Sequence, residues 1–153
     1  MSNTYTQLLI HLVFAVKGRQ SLISEKHREK VEKYICGIIN KKQCKPLVIY
    51  CNPDHIHILI GLHPAISISE LMRVVKSNSS KWINENNWLP GKFSWQEGFG
   101  AFSCSRSQLD RVVKYIRNQP EHHRKKTFRE EYIEFLKKYE IEFDEKFTFD
   151  FLE

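Results

Sequence analysis

The chain has 153 residues, enough for one domain with a core of its own and no need of disulfide staples. Its 24 Lys/Arg against 18 Asp/Glu give a net charge of +6, unevenly spread: residues 1–120 hold 17 basic and 8 acidic side chains, residues 121–153 hold 7 and 10. A basic body points to a polyanionic partner, nucleic acid before membrane, and no apolar run approaches the roughly 20 residues of a membrane helix.

Thr6 to Val16 (TQLLIHLVFAV) is a long apolar run rich in branched residues, which predicts a strand buried on both faces in the middle of a sheet. His11 within it reads as a satisfied core histidine, and Lys17-Gly18-Arg19 closes the strand with a turn bearing two positive charges. After Ser24, the spacing of Val31, Tyr34, Ile35, Ile38 and Ile39 predicts a scaffold helix to about Asn40. Lys45 to Cys51 is a second strand. Asn52-Pro53-Asp54 then makes a turn, because proline fixes φ and its neighbours can hydrogen-bond their own backbone, so the third strand returns as an antiparallel hairpin. In that strand Ile56, Ile58, Ile60 and Leu62 point into a core. His55 and His57 share the opposite face roughly 7 Å apart, within reach of one metal ion, although such a pair alone is more often ordinary.

Ser67 and Glu70 have capping-box spacing and open a helix to about Asn86, with Ile68, Leu71, Val74, Val75 and Trp82 inward. Arg73, Lys76 and Ser80 share another face, either solvated or in contact with phosphate. Phe93 to Ser103 is extended and aromatic-rich, and Gly98 and Gly100 mark a bulge or a close backbone approach. Ser105 to Gln108 caps a helix that buries Leu109, Val112, Val113 and Ile116 and shows Arg111, Lys114, Tyr115, Asn118 and Gln119 outward. Glu121 to Lys126 (EHHRKK) is a basic loop; Thr127 and Glu130 cap a last helix that buries Phe128, Tyr132, Phe135, Leu136 and Tyr139. The tail alternates aromatic and acidic residues and is expected to pack on protein rather than on DNA. The element order predicts an α+β fold, the ferredoxin-like β-α-β-β-α-β plan with a four-stranded antiparallel sheet whose central neighbours are the first and third strands. The expected division is a core over 1–103, a helix over 105–119 and a C-terminal helix and tail over 127–153, all in one domain spanning 1–153. Cys36, Cys44, Cys51 and Cys104 lack C-x-x-C spacing and the N-terminus lacks a signal-peptide pattern, so a cytoplasmic protein with free thiols is expected.

His55-Ile56-His57 after Asn-Pro-Asp, the Trp95-Gln96-x-x-Phe99-Gly100-x-Phe102-Ser103 strand, and Tyr115-Ile116-Arg117-Asn118-Gln119 followed by Glu121-His122-His123 resemble the single-tyrosine HUH transposases of bacterial insertion sequences. The resemblance implies a metal-dependent enzyme that cuts and rejoins single-stranded DNA at hairpin-marked ends through a 5′-phosphotyrosine. It makes Tyr115 the nucleophile, His55, His57 and Gln119 the metal ligands, and Mg or Mn the ion; ligand softness alone suggests zinc, nickel or manganese. Arg73, Lys76, Ser80, Arg111, Lys114, Arg124, Lys125 and Lys126 are the candidate DNA contacts. A homodimer is implied, with the histidines of one chain facing the tyrosine and glutamine of the other. Without a carboxylate ligand, the ion would keep its full charge for the substrate. Pro120 departs from this pattern, because a residue before proline is pushed away from α geometry and the helix is expected to fray at Gln119. An RNA-recognition-motif-like module is the alternative, but its third strand should display stacking aromatics where this one has His55, His57 and Leu59. A metallohydrolase would want further ligands, and only Asp54 is near.

Overall fold

The strands form a four-stranded antiparallel sheet in the order β2-β3-β1-β4, built from β1 (Leu9–Ala15), β2 (Lys45–Cys51), β3 (His55–Gly61) and β4 (Gly100–Cys104). This is the ferredoxin-like arrangement expected from the element order, seen in a computed structural model that describes residues 3–142. β1 and β3 are central, which is why both read as nearly continuous apolar runs.

One face of the sheet is covered by α1 (Glu25–Lys41) and α2 (Ile68–Glu85). Val31, Ile35 and Ile39 from α1 and Leu71 and Val75 from α2 meet Leu12, Phe14, Ile56, Ile58 and Ile60 in a core where each is almost fully buried. Each such side chain contributes about 1.5–3 kcal/mol. Ser67 caps α2 by accepting the Glu70 N–H at 3.1 Å, as its spacing predicts.

The register places His11, Val13 and Ala15 of β1, His55, His57 and Leu59 of β3, and Phe102 of β4 on the other face. α5 (Phe128–Lys138) lies across it, its Phe128 and Leu136 buried against Val13, Ala15 and Phe102, with Tyr132, Phe135 and Tyr139 half-buried around them. α3 (Leu109–Arg117) packs over β2 and β3 through the buried Ile116.

Local features sharpen or correct the sequence expectation. The extended run from Phe93 pairs only at a Trp95–Val16 bridge before β4 begins at Gly100, because Gly98 turns the chain at φ +82°. Gly100 answers to close approach: a Cβ there would stand 2.9 Å from atoms of the Phe102 and Tyr132 rings, so α5 rests against bare backbone. The basic stretch expected to be a loop is instead helical, α4 (Gln119–Lys125), with Pro120 in its first turn, where the missing N–H costs nothing. The chain breaks at Asn118 between α3 and α4, so Gln119 opens a second helix rather than fraying the first. The acidic, aromatic tail from residue 143 lies outside the described residues.

Candidate functional site

β3 brings His55 and His57 to the covered face, with ring centroids 5.1 Å apart and both side chains essentially inaccessible. Their outer nitrogens are engaged. The His55 Nδ1 is 2.7 Å from Asp54 Oδ1, so it carries the proton and leaves the Nε2 lone pair facing inward. His57 Nδ1 lies 2.8 Å from His11 Nε2. His11 is therefore more than a core histidine: it is the partner that orients His57, a role invisible in a strand read by itself.

α3 sets Tyr115 over the same spot, its ring 5.8 Å from that of His57 and its hydroxyl donating to Glu131 of α5. Glu131 is the centre of the site, and sequence reading passed over it. Only 4% exposed, it offers Oε1 to His57 Nε2 at 3.0 Å and to the Nε2 atoms of His55 and His123 at 3.5 Å. Its Oε2 takes the Tyr115 hydroxyl and the Gln119 amide N–H, the latter at 3.1 Å.

Gln119 is fully buried and reaches the site, and its Oε1 accepts from Asn52 Nδ2 at 3.0 Å. The same Asn52 nitrogen donates to His55 Nε2 at 3.1 Å, so the turn residue knits two predicted ligands together. His123, from α4, is the second omission. Its Nδ1 meets the Lys126 carbonyl at 3.0 Å, which places the proton there and turns a bare Nε2 toward Gln119 Oε1 at 3.0 Å. Both missed residues had a signal: His123 stands one helical turn beyond Gln119, and Glu131 is the polar member of an otherwise apolar stripe.

Electrostatics follow from burial and this geometry. Burial opposes ionisation of Glu131, but the adjoining imidazoles of His55 and His57 outweigh it and hold the carboxyl at about 2. Burial lowers His57, against the pull of Glu131. It lowers His55 too, yet Asp54 and Glu131 prevail and leave that imidazole raised. His123 falls to about 4 through burial and the neighbouring His55. Lone pairs from His55, His57, His123 and Glu131 thus converge, all within 4.8 Å of one another, with Gln119 Oε1 beside them and too few protons between. Such a set of acceptors fits a cation. The expectation of a site without a carboxylate is corrected: Glu131 brings one negative charge into it.

Two clefts flank this cluster. One, of about 490 Å³, is lined by Arg111, Lys114, Tyr115, His122 and Lys138; the other, of about 460 Å³, by Asp54, His123, Arg124, Lys125 and Lys126. Arg73, Lys76 and Ser80 lie on α2, on the far side of the sheet. Arg73 pairs with Glu70 at 2.6 Å, and Ser80 bonds the Ser77 carbonyl. Lys76 donates to the carbonyls of Gln96 and Gly98 at 2.6 and 2.8 Å, tying down the loop before β4. Replacing Lys76 with Met is therefore expected to lower the urea midpoint, by about 1–3 kcal/mol of stability, and to leave the salt dependence of DNA binding unchanged.

Tyr115 and Gln119 stand at the histidines of their own chain. The sheet face that an RNA-recognition motif would offer to stacked bases is covered by α5. No helix among the described residues is long and apolar enough to cross a membrane, and the four cysteines are free thiols.

Residues 4–119 match the family model described as "Transposase IS200 like". The chain belongs to the IS200-like transposase family. It is 27% identical over 128 residues to the transposase for insertion sequence element IS200 of Salmonella typhimurium, covering 79% of this chain and 82% of that protein. To the ISDra2 transposase TnpA of Deinococcus radiodurans it is 22% identical over 120 residues, 74% and 84% of the two chains. The fold is shared with a crystal structure described as a transposase from Deinococcus radiodurans (TM-score 0.63, 19% identity, 78% of this chain and 95% of that one). It is also shared with a REP-associated tyrosine transposase bound to a REP hairpin (TM-score 0.60, 16% identity, 80% and 73%). The IS200-like match ends at Gln119, so His123 and Glu131 come from helices beyond the matched region.

Proposed function

We propose that this IS200-like transposase cleaves and rejoins single-stranded DNA at hairpin-marked ends through a 5′-phosphotyrosine at Tyr115, with a divalent metal, Mg or Mn, held by His55, His57 and Gln119 together with His123 and Glu131. The observation that carries the reading is the meeting of Tyr115 with the two strand histidines at one buried carboxylate. Carboxylate and amide oxygens added to imidazoles make a harder donor set than two histidines alone, which suits Mn²⁺ or Mg²⁺. When bound, the ion offsets the charge of the scissile phosphate and of the oxygen that leaves it.

The chain's own residues supply the rest. A phenol with an ordinary pKa near 10 is a weak nucleophile at neutral pH. Glu131 Oε2 accepts the Tyr115 hydrogen bond and so aims the phenol, whose proton passes to solvent as the phenolic oxygen bonds to phosphorus. The bond from phosphorus to the 3′ oxygen breaks, and that oxygen leaves as a 3′ hydroxyl after gaining a proton from solvent. Asp54 and His11 hold the two histidines in the orientation this requires. Arg111 and Lys114 on one side and Arg124, Lys125 and Lys126 on the other offer phosphate contacts along the strand's path.

A labelled oligonucleotide carrying a hairpin, incubated with the protein and Mn²⁺ and run on a denaturing gel, should show a protein-linked product, and the duplex should be spared. Tyr115→Phe should give none; an adduct that persists in that variant sinks the assignment. Two paired chains belong to the same proposal, since element ends come in pairs. With the site complete in one chain, mixing His57→Ala protein with Tyr115→Phe protein should leave cleavage absent even after subunit exchange. Recovery of cleavage on mixing would show that chains share sites.

A further inference from the structure

The Lys17-Gly18-Arg19 turn carries a feature that the site as described does not use. Arg19 lines the cleft of Asp54, His123, Arg124 and Lys126. The residue is half-buried, and its Nη1 is withdrawn from water with no hydrogen-bond partner among the described residues. A guanidinium nitrogen withdrawn from water without an acceptor is costly, and a planar fork of donors matches an oxyanion. The carboxylates lining the cleft are committed elsewhere: Asp54 to His55 at 2.7 Å, and Glu130 to the Thr127 cap at 3.1 and 3.2 Å.

The backbone holds this arginine in place at a cost. Arg19 has φ +52°, directly after Gly18 at φ +69°, a conformation that side chains other than glycine rarely adopt. The turn is sewn to the hairpin that carries the histidines. Val16 N–H donates to the Asp54 carbonyl at 2.8 Å and Ile23 N–H to the Pro53 carbonyl at 3.0 Å, so Arg19 is fixed relative to His55.

We infer that Arg19 binds a backbone phosphate of the single strand next to the cleaved one, fixing the register in which the strand crosses the metal site. This rests on the reading of the site as a DNA-cleaving centre. Arg19→Gly is the informative variant, because glycine accepts the positive φ while the guanidinium is removed, so the melting temperature should hold or rise. Single-stranded oligonucleotide affinity should fall about tenfold to a hundredfold. The slope of log affinity against log salt should shrink by about 0.7, the share of one phosphate on a single strand.

A series of oligonucleotides with one neutral methylphosphonate each locates the contact. One position near the cleavage site should weaken binding to the parent protein and have no further effect on Arg19→Gly. Arg19→Lys, which keeps the charge and loses the fork, should keep most of the slope and lose part of the affinity. An unchanged affinity and slope in Arg19→Gly, or a methylphosphonate penalty retained in full at every position, overturns the inference. Absence of any adduct with the parent protein instead overturns the proposed cleavage, and the two failures are read on different gels and titrations.

Discussion

Replacing His57 with Ala should abolish cleavage, a fall of about a thousandfold or more, while single-strand affinity stays within about threefold of the parent. The first part follows from the loss of an inward nitrogen at the cation site, where a divalent ion is worth several kcal/mol to a departing oxygen. The second follows from the position of the basic side chains, which line the two clefts on either side of the histidines. The substitution also strips a fully buried ring from Glu131 and His11, so a lower melting temperature is expected. Gel cleavage and fluorescence anisotropy, run on the same folded preparation, check both halves. Cleavage at the parent rate, in this variant or in excess chelator, would remove the metal mechanism.

Glu131→Gln should produce the second large effect, read without DNA. Titrating Mn²⁺ by calorimetry should show affinity reduced at least tenfold to a hundredfold, because the central donor loses its charge. The same change should alter the response to acid. The Glu131 carboxyl sits at about 2 against an ordinary 4.5, so the folded state favours its ionised form. That stabilisation, on the order of 3 kcal/mol, is complete above about pH 4.5 and is lost as pH falls toward 2. Urea midpoints of the Gln variant should therefore decline less steeply across that window than those of the parent. Parallel pH curves would mean that Glu131 is not coupled to the histidines as described.

The fold was legible in the sequence because each element announced itself locally: alternation in β3, capping at Ser67 and Thr127, a proline turn between β2 and β3. The histidine pair and the tyrosine were legible for the same reason, each lying in a short pattern. What could not be read was the third layer of contact. His11 looks inert until β1 and β3 are set in register and its Nε2 meets His57. Glu131 shows in sequence only as a polar interruption of an apolar stripe, and its role appears when α5 is laid across the sheet. Pro120 was read as the end of a helix, and it is the start of one, because the restriction it places on Gln119 is met by a break at Asn118 that the tertiary packing of Ile116 permits. Lys76, read as a DNA contact, also binds loop carbonyls that lie more than a dozen residues away in the chain, a contact its own helix does not announce.

Gly100 links the edge of the sheet to the chemistry. Tyr132, whose ring closes on that glycine, is the residue next to Glu131, so anything larger than hydrogen at position 100 would displace the Phe102 and Tyr132 rings and disturb the packing beside the carboxylate. Sequence drift at this one edge position is thus closed off by a constraint that originates on another helix. Variants that tolerate a methyl group there should need smaller side chains at both 102 and 132, a concerted change in the sequence record that no one of these residues explains by itself.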